Sequence, residues 1–110
     1  MAVVNRVTYK RNDRLPPLDA VLVDADDAVV DLTGATVKFI MRAPGAETAK
    51  VDATATVVTP ASGEVRYSWG ANDLDTVGFY RGEFEVTLAG LKRTFPAEGF
   101  VSVFVTEDVG

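Results

Sequence analysis

Residues 80–88 read Tyr-Arg-Gly-Glu-Phe-Glu-Val-Thr-Leu and form the most regular stretch of the chain. Uncharged, mostly apolar residues occupy every second position: Tyr80, Gly82, Phe84, Val86 and Leu88. Polar residues fill the positions between them: Arg81, Glu83, Glu85 and Thr87. Because successive side chains of a strand point to opposite faces of a sheet, this alternation predicts a half-buried antiparallel β-strand.

The same period of two recurs along the chain, with Gly, Pro, Asn and Asp separating the segments at intervals of about ten residues. It is clear at residues 36–42 and 64–69, and weaker at residues 7–10, 18–24, 53–59 and 100–106. A single helical turn is expected near residues 72–75. Short strands in this number predict an all-β fold, an immunoglobulin-like antiparallel two-sheet β-sandwich of about seven strands. A small closed barrel is the competing architecture.

A local motif around Tyr80 favours the sandwich. Residues 75–82 resemble the tyrosine corner of immunoglobulin-like domains, in which a Tyr at the start of a late strand donates a hydrogen bond to backbone just upstream. Gly82 stands where antibody domains have a cysteine. We therefore expect the Tyr80 hydroxyl to bond to the preceding loop.

Length and composition exclude several classes of protein. The 110 residues fit one domain, and the 47% of apolar residues are enough for a packed core. The chain has no cysteine and no histidine, which removes disulfides, thiolate and imidazole metal ligands, and the usual catalytic proton shuttles. No apolar run approaches the roughly 20 residues that span a bilayer. We expect no enzymatic activity, no metal, no cofactor and no membrane association.

Charge divides the chain into two regions. Residues 1–17 carry four basic residues against Asp13, a balance of +3, so the net charge of −5 leaves −8 for residues 18–110. We interpret residues 1–17 as a basic N-terminal arm and residues 18–110 as the sandwich domain. The arm is either a solvated leader or a tether that contacts acidic neighbours. Its basic residues are candidate partner-binding residues: Arg6, Lys10, Arg11 and Arg14. Because the acidic body repels phosphates, nucleic acid is not an expected partner.

The last predicted strand has two apolar faces. Val101, Val103 and Val105 line one face, while Phe100 and Phe104 flank Ser102 on the other. One strand of a sandwich needs only one buried face, so either a loop or a partner covers the second. Phe100 and Phe104 are therefore candidate partner-binding residues.

Three other clusters have simpler explanations than a functional site. The carboxylates of Asp24, Asp26, Asp27 and Asp31 lack calcium-loop spacing and suit turns. Glu83 and Glu85 are expected on a solvated strand face, paired at best with Arg81 or a cross-strand Arg66, rather than as a catalytic carboxylate pair. Tyr67 and Trp69 alternate in phase with Val65, which places them in the core rather than on a sugar-binding platform.

Two blocks of the chain are moderately specific together, Asp-Leu-Thr-Gly-Ala at residues 31–35 and Gly-x-Tyr-x-x-Glu-Phe at residues 78–84. With the segments around them, over about residues 13–106, they resemble the N-terminal domain family of phage baseplate upper proteins. Further matching segments are residues 14–18, 21–26, 36–39, 63–69 and 94–96, with Asp73. The resemblance implies an immunoglobulin-like module of a tailed-phage virion, without catalysis.

The resemblance implies a role in assembly, and three alternatives stay open. The first is an adaptor or decorating module in the tail or baseplate, located in the virion after synthesis in the host cytoplasm. The second is a capsid decoration protein, and the third is a carbohydrate-binding module for host glycans. Expected partners are other virion proteins in multiple copies, with homo-oligomerisation possible. In the family's namesake the domain begins a longer chain that continues toward a trimeric receptor-binding assembly, whereas this sequence stops at Gly110 with no heptads or fibre segment. The resemblance therefore leaves open whether this chain contacts host receptors.

Overall fold

A computed structural model describes residues 5–109, so residues 1–4 of the predicted arm and Gly110 lie outside the described residues. It confirms the all-β class and the sandwich. A single turn of 3-10 helix covers Pro60–Ser62. The strands are β1 (Arg6–Lys10), β2 (Leu18–Val21), β3 (Thr36–Arg42), β4 (Val51–Thr59), β5 (Glu64–Tyr67), β6 (Gly78–Leu88), β7 (Leu91–Phe95) and β8 (Val101–Thr106).

The strands form one curled, mixed sheet in the order β1-β8-β6-β3-β4-β5-β2. The most regular sequence segment, β6, lies at its centre with β3 along one edge. The other edge of β6 is divided between β8, which pairs with Gly78–Gly82, and β7, which pairs with Phe84–Leu88. β4 joins the two layers, because its first half pairs with β3 and its second half with β5.

The core lies between these layers and is rich in aromatic rings. Phe39 of β3 has no exposed surface and stacks on Tyr67 of β5, with ring centroids 5.0 Å apart. Trp69 and Phe84 pack against the same ring at 5.7 and 5.1 Å. Within residues 5–109, β1 pairs only with β8 and β2 only with β5, so the sheet is open and the barrel alternative is wrong.

Backbone positions with positive φ close the tightest turns. Ala89 (φ 52°) and Gly90 (φ 79°) form the two-residue hairpin between β6 and β7. Positive φ at both central residues is the geometry that matches the twist of hairpin strands. Gly63 (φ 69°) follows the 3-10 turn, and a Cβ there would lie 2.8 Å from the Leu22 carbonyl oxygen, so this position requires glycine.

Three details differ from the expectations. The pairing of β1 with β8 is parallel, not antiparallel. Residues 11–17 carry the chain from β1 to β2 in the other layer, so among the described strands β1 has no hairpin partner. Strand β7 is an eighth strand, and its side chains are exposed except Phe95, so it has no alternating pattern. The segment near Asn72–Asp75 forms a hydrogen-bonded turn instead of a helical one.

The predicted tyrosine corner is present. The Tyr80 hydroxyl donates a hydrogen bond of 2.8 Å to the carbonyl oxygen of Thr76, four residues upstream. This bond fixes the loop that enters β6. No helix among residues 5–109 has the length and apolar character that crossing a membrane requires.

Candidate partner-binding surface

Three phenylalanines form a cluster on the outer face of the sheet. Phe104 of β8 lies directly opposite Phe79 of β6, and their ring centroids are 5.0 Å apart. Phe100, which immediately precedes β8, lies 6.2 Å from Phe79. All three side chains are half-buried, whereas the valines that alternate with them in β8 are buried in the core. The cluster therefore presents aromatic surface outside the core.

Ser102 lies at the centre of this face. It lies between Phe100 and Phe104 along β8, two residues from each. Across the strands it is opposite Arg6 of β1 on one side and Arg81 of β6 on the other. Since neighbouring strands are about 4.8 Å apart, the two arginines flank a small side chain at close range.

Each arginine covers one phenylalanine ring. The guanidinium carbon of Arg6 lies 4.6 Å from the centroid of Phe104, and that of Arg81 lies 4.9 Å from the centroid of Phe100. In such cation–π contacts the positive charge of the guanidinium is attracted to the negative face of the aromatic ring. Within residues 5–109, neither arginine forms an ion pair with a carboxylate. We call this surface the arginine–phenylalanine patch: Arg6, Phe79, Arg81, Phe100, Ser102 and Phe104.

The structure separates the basic residues of the predicted arm. Only Arg6 belongs to the patch. Lys10 donates to the carbonyl oxygen of Glu107 at 3.4 Å, and Arg11 lies 3.6 Å from a carboxylate oxygen of Asp108. Arg14 donates through Nε to the carbonyl oxygen of Trp69 at 3.0 Å. Residues 6–10 form β1, so this part of the arm is integrated in the sheet.

The patch contains Phe100 and Phe104, which the sequence analysis proposed as partner-binding residues, together with Phe79 and Arg81, which it did not propose. Both missed residues lie on the polar side of the β6 alternation, where Phe79 is an apolar exception. This apolar residue at a polar position is the feature of the sequence that could have pointed to Phe79 as part of the cluster. The strand register that brings Phe79 against Phe104 is a long-range property and was not readable from periodicity.

The carboxylate clusters serve local structure. Oδ1 of Asp24 accepts hydrogen bonds from the backbone N–H groups of Asp26 and Ala28 at 2.8 and 3.0 Å, as in an Asx turn. The hydroxyl and backbone N–H of Thr33 bond to Asp31 and lower the pKa of that carboxyl. Across the described residues, no group of three acidic side chains is arranged to hold a metal ion.

The glutamates of β6 do not pair as expected. Glu85 lies 3.8 Å from the ammonium group of Lys92 on β7. The predicted cross-strand contact with Arg66 is wrong, because β5 pairs with β2 and β4 instead of β6. Arg66 instead donates to Asp19 of β2 at 2.6 Å.

The two aromatics considered for sugar binding are in the core. Trp69 is 2% exposed and Tyr67 is 4% exposed. The Tyr67 hydroxyl donates a hydrogen bond to Asp73, which also accepts from the Gly70 N–H at 2.7 Å. Burial, followed by this bond and the nearby carboxylate charge, raises the pKa of the Tyr67 hydroxyl above its ordinary value. Neither ring is available as a stacking platform.

A groove of about 290 Å³ adjoins the patch. Its lining includes Phe95, Phe100 and Val101 together with the end of β2 and the acidic loop that follows it, including Asp24 and Asp27. One residue of the patch, Phe100, thus borders the same groove as the acidic loop.

Comparison with known proteins identifies the family. A family model described as the BppU N-terminal domain matches residues 9–108, which is nearly the whole chain. The chain belongs to the BppU N-terminal domain family. The resemblance inferred from the sequence is therefore confirmed. BppU denotes the phage baseplate upper protein, so membership supports a structural role in the baseplate of a virion.

A solved structure supports the fold assigned to this BppU N-terminal domain. The N-terminal domain of phage TP901-1 ORF48 matches with a TM-score of 0.60 and 16% sequence identity, over 96% of this chain and 86% of that chain. At this identity the similarity shows a common fold alone. Among curated proteins, no match was found.

Proposed function

We propose that this chain is a non-catalytic adaptor module of a phage baseplate, present in multiple copies, that contacts neighbouring virion proteins through the arginine–phenylalanine patch. The family match over residues 9–108 carries the baseplate assignment. The role of the patch rests on its chemistry and exposure. The chain is synthesised in the host cytoplasm and then incorporated into the virion.

The composition of the patch supports a role in protein binding. Aromatic residues and arginine are enriched in the cores of protein interfaces and among the residues that dominate their binding energy. On this sheet face three half-buried rings and two guanidinium groups surround a serine. Arginine side chains and aromatic rings placed side by side on a sheet face are therefore suited to contact another protein surface.

The alternatives receive less support. A capsid decoration protein is a structural role of the same kind, but the family match favours the baseplate as its location. A glycan-binding role depended on exposed Trp69 and Tyr67 rings, and both are buried.

Particle composition tests the location. Native particles are separated into capsids and tails, and the chain is quantified by mass spectrometry against the major capsid protein. Recovery in the tail fraction at a few to a few tens of copies is expected. Recovery with capsids alone would replace the baseplate role by capsid decoration, and absence from both fractions would refute a virion role.

Substitutions test the surface. Phe104→Ser should reduce incorporation into particles while the isolated protein keeps its fold, because the Phe104 ring is only half-buried. Leu91→Ser is a matched control, since Leu91 is 77% exposed on β7, outside the patch. Equal incorporation of both variants and the wild type would refute the proposed contact surface. Circular dichroism of each purified variant excludes a folding defect.

A further inference from the structure

We infer that the arginine–phenylalanine patch binds the acidic loop at residues 24–31 of a second copy of this chain. This inference deepens the proposed function and rests on it for the biological setting. In the contact, carboxylates of Asp26 and Asp27 lie over Ser102, between Arg6 and Arg81.

Charge complementarity identifies the occupant. Within the described chain, the guanidinium groups of Arg6 and Arg81 have no carboxylate partner, and Arg42 of β3 lies opposite Arg81 on the same face. Glu83 is the acidic residue next to them on β6. The patch is thus cationic in a chain whose net charge is −5. A second copy offers the opposite charge that the patch requires.

The acidic loop has matching features. Asp24 and Asp31 are occupied by hydrogen bonds to their own turns. By contrast, Asp26 and Asp27 are exposed, and their carboxylates form no hydrogen bond or ion pair with any other residue between 5 and 109. Val29 beside them is 55% exposed. The loop therefore presents two uncommitted carboxylates next to an apolar side chain, the complement of two arginines next to aromatic rings.

The two surfaces border one groove, because Asp27 of the loop and Phe100 of the patch both line it. No ion pair connects them within the described residues. A two-fold axis that passes between two such neighbouring surfaces places each loop on the patch of the other copy. The geometry therefore favours a symmetric dimer with two identical contacts.

Charge reversal in pairs tests the contact. Sedimentation velocity of the purified wild-type chain at about 0.02 M salt should show dimers that dissociate at about 0.5 M salt, where the screening length is only a few ångströms. Arg81→Glu and Asp27→Arg should each weaken dimerisation at least tenfold. An equimolar mixture of the two variants should restore dimers, because every contact again joins opposite charges.

Arg93→Glu on β7 is the matched control for charge reversal. Its guanidinium also lies over a phenylalanine, 5.0 Å from the Phe95 centroid, but outside the patch. It should dimerise as the wild type does. Thermal unfolding of each variant distinguishes loss of dimerisation from loss of folding.

Cross-linking identifies the surfaces in contact. The natural chain has no cysteine, so each introduced thiol is unique. A short bismaleimide should join Ser102→Cys to Ala28→Cys when the two proteins are mixed. It should not join Ser102→Cys to Ala49→Cys, a control at an exposed position in the loop between β3 and β4.

Three results would overturn the inference: a wild-type chain that stays monomeric at about 1 mM and low salt, dimers that are indifferent to both charge reversals, or cross-links between two copies of Ser102→Cys in preference to the mixed pair. These outcomes are independent of particle composition. A chain found in tails but monomeric in solution would contradict this inference alone, and a dimer absent from particles would contradict the proposed function alone.

Discussion

Replacing Gly82 by alanine should destabilise the domain, although the same change in an ordinary strand is stabilising. Gly82 lies on the inward face of β6, with extended rather than left-handed backbone. A Cβ there would lie 2.7 Å from Cζ and 2.9 Å from Cε1 of Phe39. Carbon atoms in contact prefer about 3.5 to 4.0 Å, so the overlap approaches 1 Å.

The size of the effect follows from how firmly Phe39 is held. Its ring has no exposed surface and packs against Tyr67, Trp69 and Phe84 at centroid distances of 5.0, 5.7 and 5.1 Å. Overfilling such a core costs about 1 to 3 kcal/mol. The smaller unfolded-state entropy of alanine offsets about 0.5 kcal/mol of this. We expect a net loss of about 2 kcal/mol, which lowers the thermal midpoint by roughly 10 °C.

Urea and thermal unfolding, followed by circular dichroism, measure this loss. The Phe39→Leu, Gly82→Ala double variant should lose clearly less stability than the sum of the two single variants, because leucine lacks the atoms that collide. Gly45→Ala separates backbone strain from crowding, because its φ of +81° disfavours alanine while its added Cβ meets nothing within 4 Å. Its loss of stability should therefore add strictly to that of Phe39→Leu. A stabilised Gly82→Ala variant, or strict additivity with Phe39→Leu, would refute the crowding argument.

Three further predictions follow from single contacts. Tyr80→Phe removes the hydrogen bond to the Thr76 carbonyl and should lower the free energy of unfolding by about 1 kcal/mol, measured by thermal unfolding. An unchanged thermal midpoint would contradict this prediction. Trp69 fluorescence should be blue-shifted and resistant to acrylamide until the protein unfolds, whereas red-shifted emission would contradict its burial. The Lys50 ammonium lies 2.5 Å from a carboxylate oxygen of Asp75 and lowers the pKa of that carboxyl. The ion pair therefore stabilises the fold at pH values above the pKa of Asp75 in the unfolded chain. This stabilisation is lost as the pH falls through the lower pKa of Asp75 in the folded protein. Urea unfolding between about pH 6 and pH 2 should therefore show that the free energy of unfolding falls less steeply with pH for Lys50→Met than for the wild type. The same pH dependence in both proteins would exclude this ion pair as a contributor.

The sequence predicted features that depend on local alternation. The inward residues of β6, the burial of Trp69 and the tyrosine corner at Tyr80 follow from period two and from a short motif. Each requires only knowledge of which side of a strand faces the core. The family resemblance relied on the same ordered segments and was correct.

The features that were missed depend on which strands become neighbours. β7 is exposed on both faces except at Phe95, so it carries no hydrophobic pattern. The parallel partner of β1 and the approach of Phe79 to Phe104 are set by pairing across long stretches of chain. Periodicity assigns a residue to a face, but it does not say which residue lies beside it, and the composition of the patch depends on that information.

The parallel pairing of β1 with β8 has a consequence for synthesis. The contact between Tyr9 and Thr106 joins residues 97 positions apart. During translation β1 therefore emerges before the other strands of the domain and has no partner strand until β8 has been synthesised. Pairing over such separations slows folding, because closing the long loop precedes any stabilisation by the contact. The edge of the sheet that carries Arg6 requires residues 101–106 for its pairing, so the patch can be assembled only after β8 has been made.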